Sequence, residues 1–91
     1  MDGHTKRWHA TVFLTEEDGE TSAEAMLETG TAAIHGHGTA RRNPTDAEIE
    51  GIGEELAAGR ALIRLGRKLL GIAEQDIEHV EGHAADVHVH E

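Results

Sequence analysis

The side chains best suited to binding chemistry are six bases that fall in two short segments. Arg41 and Arg42 form one pair, and the others are Arg60, Arg64, Arg67 and Lys68. Residues three and four apart share one side of a helix, so a helix through 60–68 would present its bases together. Double-stranded RNA is recognised largely through its shape and backbone, which makes this strip a candidate RNA- or partner-binding surface. The alternative is an ordinary solvated helix face.

Histidine is the second residue type with useful chemistry, and it occurs eight times. One residue separates His35 from His37, and one separates His88 from His90. On a strand, both members of such a pair point the same way, so they could offer two imidazoles to one metal ion, with His9 as a third ligand. The alternative is a set of exposed histidines whose protonation near pH of about 6.5 makes the chain pH-responsive.

Catalytic chemistry has little support in the composition. The chain lacks cysteine and tyrosine, and its one serine, Ser22, has no base in its sequence context. The carboxylates fall in turns and helix ends, where solvation is their ordinary role. Gly36 and Gly38 lie inside a predicted strand, so they do not form the strand-to-helix loop that cradles phosphates. We expect no catalytic residue, no cofactor and no small-molecule substrate.

Length and charge limit the class of protein. A chain of 91 residues is one small domain with a marginal core, and without cysteine no disulfide can reinforce it, so self-association is expected. The net charge of −10 argues against indiscriminate nucleic-acid binding, although residues 41–72 carry six bases and only five acids. No apolar run could span a membrane, and residues 1–6 lack the apolar segment of a signal peptide. We therefore expect a cytoplasmic protein without membrane contacts.

Alternation of apolar and polar residues predicts three strands. The first covers about residues 8–14, with Trp8 in the core, and the second covers about 22–28 after a turn at residues 16–20. The third covers about 32–41 and places two glycines, Gly36 and Gly38, on its inner face. Glycines in a strand allow another element to approach the sheet closely. Asn43-Pro44 ends the sheet.

The apolar stretch from Ile49 to Val80 predicts a long helix. Its apolar residues form two adjacent rows, which merge into one wide stripe with the bases on the opposite side. Gly59 and Gly66 are expected on the apolar side, against the glycines of the third strand. The helix begins near Ala47 or near Ile52, and after a break at Gly71 residues 74–81 form a short separate helix.

The predicted fold class is therefore α+β. A three-stranded antiparallel sheet is followed by a long amphipathic helix and a short C-terminal helix, in two layers. We expect a flexible tail at residues 1–7, a β-β-β-α domain at 8–81 and a C-terminal tail at 82–91. Phe13 and Met26 lie on the sheet face away from the helix, where a second copy of the chain would cover them as a dimer face.

Three segments resemble a known family: residues 8–13 (WHATVF), residues 36–46 (GHGTARRNPTD) and residues 50–62 (EGIGEELAAGRAL), followed by DIE at 76–78. The family consists of small actinobacterial proteins of unknown function with a fold like that of double-stranded-RNA-binding domains. The resemblance implies an association with stress and dormancy, a shape comparable with ribosome hibernation factors, a homodimer and no catalytic activity. The expected function is a non-enzymatic homodimer that binds the ribosome or structured RNA. The alternative is a metal- or pH-responsive interaction module that uses the strand histidines.

Overall fold

The computed structural model describes residues 3–41 and 51–83, with side chains described as far as residue 80. Four elements follow one another along the chain: β1 (His9–Glu17), β2 (Glu20–Glu28), β3 (Ala33–Arg41) and α1 (Ile52–His83). The strands form one antiparallel sheet in the order β1-β2-β3, and α1 covers part of one face. The predicted α+β class, with a three-stranded antiparallel sheet followed by a long helix, is confirmed.

The first connection is shorter than the sequence predicts. Glu17 pairs with Glu20, so only Asp18 and Gly19 reverse the chain. Both turn residues have positive φ angles, 53° and 77°. Such angles are typical of type I′ turns, whose twist suits the flanking strands of a hairpin. Because two residues suffice, β1 and β2 extend into the segment predicted as a turn.

The two faces of β2 and β3 follow the predicted alternation. Ala23, Ala25 and Leu27 are buried on the helix side, as are Ile34 and Ala40 of β3. The residues between them point to the opposite side of the sheet, which we call the open face. The core is therefore built mainly from alanines, and it has no fully buried large side chain in the described residues.

β1 is covered less well than its sequence pattern suggests. Val12 is half-buried, Leu14 is exposed, and Trp8 has 53% of its surface exposed. The expectation that Trp8 is a core residue is therefore wrong. The reason is the position of α1, which lies over β3 and β2 and barely reaches β1.

α1 approaches β3 closely because two β3 residues lack side chains. A Cβ atom added to Gly38 would lie 2.5 Å from the carbonyl oxygen of Ala57 and from the amide nitrogen of Ala61. A Cβ atom on Gly36 would meet the backbone of Ala61 and Leu65. No real Cβ atom fits at such distances, so the predicted role of these two glycines as the site of close approach is confirmed.

The glycines of the helix do not take part in this contact. A Cβ atom added to Gly59 or Gly66 would have no neighbouring atom within 4 Å. At about 100° per residue, both lie about 140–160° around the helix from the sheet-facing Ala61. The expectation that they meet the glycines of β3 is therefore wrong, because the small residues of α1 at the sheet are Ala57 and Ala61.

α1 is one continuous helix of 32 residues. It starts at Ile52, one of the two predicted starts, while the other, Ala47, lies outside the described residues. Glu54 and Glu55 occupy the first turn, where the helix dipole favours negative charge. The helix passes through Gly71 without a break, so the predicted short C-terminal helix is wrong. One glycine costs about 1 kcal/mol, which a long helix tolerates.

α1 is longer than the sheet that supports it. Its 32 residues span about 48 Å, whereas strands of nine residues span about 30 Å. Leu69 is the last helix residue that packs against the core, and every residue from 72 to 80 is exposed. The far end of α1 therefore extends beyond its own sheet. Among the described residues, no helix has the length and apolar character needed to cross a membrane.

The close contact predicts that Gly38→Ala destabilises the fold. We expect a loss of about 1–3 kcal/mol in the free energy of unfolding, since the added methyl group forces α1 away from β3. The matched control is Gly71→Ala, because a Cβ atom there meets nothing within 4 Å. That control should gain up to about 1 kcal/mol of helix stability. Urea unfolding followed by circular dichroism at one protein concentration measures both, and a stable Gly38→Ala variant would contradict the packing described above.

Candidate functional site

The four helix bases lie together on one flank of α1, beside the free edge of β3. We call this surface the basic flank, and its residues are Arg60, Arg64, Arg67 and Lys68, all exposed. The three arginines fall about 60–120° around the helix from the sheet-facing Ala61. The predicted exposure of the bases is confirmed, but their predicted position opposite the apolar stripe is wrong. The back of the helix, opposite the sheet, is apolar instead.

Arg60 is tied to the sheet. Its Nη1 donates a hydrogen bond of 2.7 Å to the carbonyl oxygen of Thr39 on β3. β3 is an edge strand, and outward carbonyl groups of an edge strand have no neighbouring strand to bond. Arg60 therefore holds α1 to the sheet edge as well as contributing charge to the flank.

The other three bases of the flank have no such partner among residues 3–41 and 51–80. Among the described residues, Arg64, Arg67 and Lys68 form no ion pair. The sequence contains no Asp or Glu from residue 56 to residue 73, so acids are absent from that whole stretch of helix. The flank is therefore a local positive surface on a chain whose net charge is −10.

Arg41 does not join the basic flank. It lies at the end of β3, on the open face of the sheet, and its Nη2 is 3.7 Å from Oε1 of Glu20 on the neighbouring strand. The sheet thus separates Arg41 from the helix bases and pairs it with a carboxylate. Arg42, the other predicted member of this group, lies outside the described residues.

His35 and His37 share the open face, as the strand pattern predicts. Nδ1 of His35 is 3.1 Å from Oε2 of Glu24, and Glu24 stands directly opposite His37 in the register. His9 lies on β1, two strands away, which is about 10 Å. In the part of the chain that the structure describes, no three His, Cys, Asp or Glu residues are placed to hold a metal ion. His88 and His90 lie outside that part.

Phe13 and Met26 are diagonal neighbours on the open face. Met26 stands opposite Thr11 and is half-buried, while Phe13 stands opposite Glu24 and has 57% of its surface exposed. The two form a small apolar spot on a face that is otherwise polar. Their role as a dimer face stays a prediction.

The open face also carries a shallow depression of about 340 Å³ near the β1–β2 turn. Its lining is polar and mainly acidic: Thr15, Glu17, Asp18, Glu20, Ser22 and Arg41. The cross-strand neighbours of Ser22 are Thr15 and Thr39, neither of which is a base. The site therefore offers no activated nucleophile, and its acids disfavour a phosphate ligand.

The structure shows a second apolar surface on α1. The sequence pattern, which predicts one wide apolar stripe, does not separate this surface from the residues that pack on the sheet. A row of α1 residues faces away from the sheet, and we call it the outer row: Ile52, Leu56, Gly59, Ile63, Gly66, Leu70, Ala73, Ile77 and Val80. All six of its large apolar residues are exposed, Leu70 to 66%. A separate row, Ala57, Ala61, Leu65 and Leu69, packs on the sheet. The sequence signal that separates the two is the seven-residue spacing of the outer row.

Comparison with known proteins places the chain among mycobacterial relatives. It is 37% identical over 75 residues to the uncharacterized protein Mb1767 of Mycobacterium bovis, covering 82% of this chain and 80% of the relative. It is 39% identical over 67 residues to the uncharacterized protein Rv2632c of Mycobacterium tuberculosis, covering 74% and 72%.

The fold is also found in a solved structure. The crystal structure of Rv2632c superposes with a TM-score of 0.82 at 34% identity, covering 88% of this chain and 95% of that one. The family model described as Rv2632c-like matches residues 6–86. The actinobacterial kinship that the sequence segments suggest is thereby confirmed. This chain belongs to the Rv2632c-like family.

Proposed function

We propose that this protein is a non-enzymatic, homodimeric binding protein of the cytoplasm that acts in a stress response. Its basic flank binds structured RNA, and the ribosome is the setting in which such RNA is abundant. The fold then serves as a small scaffold comparable with double-stranded-RNA-binding domains and ribosome hibernation factors.

The observation that carries this proposal is the uncompensated charge of the basic flank. Arg64, Arg67 and Lys68 have no acidic partner among the described residues and project from a rigid helix. From Arg60 to Lys68 the helix axis advances about 12 Å. A nucleic-acid strand carries several phosphates over that length, so one flank can contact more than one of them.

Paired RNA fits this surface better than single-stranded RNA does. Single strands are held by aromatic side chains on which bases stack. The Trp and Phe residues of the chain are Trp8, just before β1, and Phe13, within β1, whereas the basic flank lies on α1. Paired RNA is recognised through backbone and shape, for which exposed bases on a rigid helix are suited.

The proposal predicts that Arg64→Glu combined with Lys68→Glu weakens binding to a short RNA duplex. Both residues are exposed and lie off the sheet contact, so the fold should persist. Loss of two phosphate contacts lowers the slope of log affinity against log salt by about 1.8. Fluorescence anisotropy with a duplex of about 20 base pairs, over a salt series, measures this slope.

The matched control is Lys6→Glu combined with Arg7→Glu. It changes the net charge by the same amount but at exposed residues before β1. We expect it to bind RNA nearly as the unaltered protein does. Equal losses in both double variants would show that only total charge matters. Wild-type protein that neither binds the duplex nor co-sediments with ribosomes at low salt would refute the RNA proposal itself.

The alternative of a metal-responsive module has one favourable feature, the shared orientation of His35 and His37. Against it, the described residues supply no fixed third ligand. We therefore expect calorimetry with micromolar zinc to give no saturable binding. Saturable heat that disappears in His35→Ala would reverse this preference and favour the metal-responsive function.

A further inference from the structure

The outer row has the spacing of a helix-pairing surface. Leu56, Ile63, Leu70 and Ile77 follow one another at intervals of seven residues. Ile52, Gly59, Gly66, Ala73 and Val80 do the same, and the two sets alternate in steps of three and four. An apolar pattern that repeats every seven residues, here four times between residues 52 and 80, is typical of helices that pair as a coiled coil.

This repeat cannot be explained by packing on the sheet. Leu70 lies about 180° around the helix from Ala61, and the other members of the outer row lie about 100–180° from it. Ile63, Leu70, Ile77 and Val80 are each more than half exposed. A helix that packed only on its own sheet would be expected to have polar residues on the side away from the sheet.

The two helix glycines give an independent reason to place another backbone on this surface. Each costs about 1 kcal/mol relative to alanine in a helix interior. Neither Gly59 nor Gly66 has a positive φ angle, and neither contacts the sheet. What they provide is a flat strip between the large residues, which a second helix could approach closely.

We infer that the outer row pairs with the outer row of a second copy of this chain, with the two helices antiparallel. This inference rests on the homodimer proposed above and names its interface. The sheets lie on the outer sides of the helix pair, because each outer row faces away from its own sheet. The dimer is then a sandwich of sheet, helix, helix and sheet.

The sizes of the side chains favour the antiparallel arrangement. The midpoint of α1 lies near residue 68. Antiparallel helices centred there place Leu70 opposite Gly66 of the second copy, and Ile63 opposite its Ala73. By the same symmetry, Ile77 faces Gly59, so these three large residues each meet a small one, while Leu56 faces Val80. A parallel pair would stack Gly59 on Gly59 and Gly66 on Gly66, which leaves cavities between the layers of large residues.

The charges along α1 point the same way. Residues 60–68 carry four bases and no acid, while residues 74–80 carry three acids and no Lys or Arg. An antiparallel pair brings the basic part of one helix toward the acidic part of the other. Glu74 of the second copy then lies opposite Leu62, on the stretch of helix that carries Arg60 and Arg64. Antiparallel helix dipoles are also favourable neighbours.

The contact area suits a second copy. A strip about 48 Å long and about 10 Å wide amounts to about 500 Å² per chain in projection, or about 1,000 Å² for the pair. This meets the minimum of about 1,000 Å² for a biological interface with good complementarity. The self-complementary order of large and small residues identifies the occupant as the same helix.

Disulfide trapping tests the interface and its direction together. The chain has no cysteine, so any disulfide that forms must join the introduced thiols. We would make Ile63→Cys and Ala73→Cys separately. In the antiparallel dimer the two copies of position 63 are about 15 Å apart along the axis, beyond the roughly 7 Å that a disulfide spans. Mild oxidation of a mixture of the two variants should therefore give a cross-linked dimer, and oxidation of each variant alone should give little.

Three other results would overturn the inference. Cross-linking of each variant with itself, with no gain on mixing, would show parallel helices. Absence of cross-links in a protein that light scattering finds dimeric would move the interface elsewhere and leave the homodimer standing. A stable monomer at micromolar concentration would refute both the interface and the homodimer. The RNA proposal is decided separately, by the anisotropy measurement described above.

Charge placed in the outer row gives a second measurement. Leu70→Glu should raise the dimer dissociation constant at least about a hundredfold, since two leucines leave the interface. Leu70 is exposed in the single chain, so the fold should survive. Phe13→Glu, on the open face, is the matched control and should remain dimeric. Dissociation of the Phe13 variant alone would favour the Phe13 and Met26 face and reject the outer row.

Discussion

The contact of α1 with β3 fixes the rest of the molecule. A helix backbone lies where a Cβ atom of residue 36 or 38 would stand, so glycine is required at both positions. The facing helix residues must be small as well, and they are Ala57 and Ala61. A core made largely of glycine and alanine buries little apolar surface per residue, and burial is the main source of stability. The tight contact therefore leaves a small chain with a thin core.

The thin core explains where the large apolar side chains are. Ala57, Ala61, Leu65 and Leu69 pack on the sheet, and Leu56, Ile63, Leu70 and Ile77 occupy the opposite side of α1. A small chain that cannot bury enough surface alone gains stability by association. The overhang of α1 has the same explanation, because a helix that served only its own sheet could end near Leu69.

The sequence predicts the strands well because side chains alternate between the two faces of a sheet, so the order of apolar and polar residues shows which residues face the helix. Gly36 and Gly38 are also placed correctly, since a glycine pair on one strand face has few other uses. The helix is harder. Two apolar rows about a third of a turn apart look like one wide stripe. Ala57 and Ala61 carry too weak a signal to show which row meets the sheet. The alternation of residues places Trp8 on the side of the sheet that faces the helix. It does not predict how far α1 extends across that side, and α1 leaves Trp8 exposed.

In the inferred dimer, the direction of helix pairing decides how the basic flanks of the two copies are arranged. In an antiparallel pair, equivalent flanks of the two helices lie on the same side of the interface, whereas in a parallel pair they lie on opposite sides. The flanks of both copies would therefore join into one surface centred near Lys68, about 24 Å long. Glu74 and Glu78 reach its ends and confine the positive potential to the middle. A dimer of chains whose net charge is −10 each would thus present to paired RNA one cationic surface that joins the basic flanks of both copies.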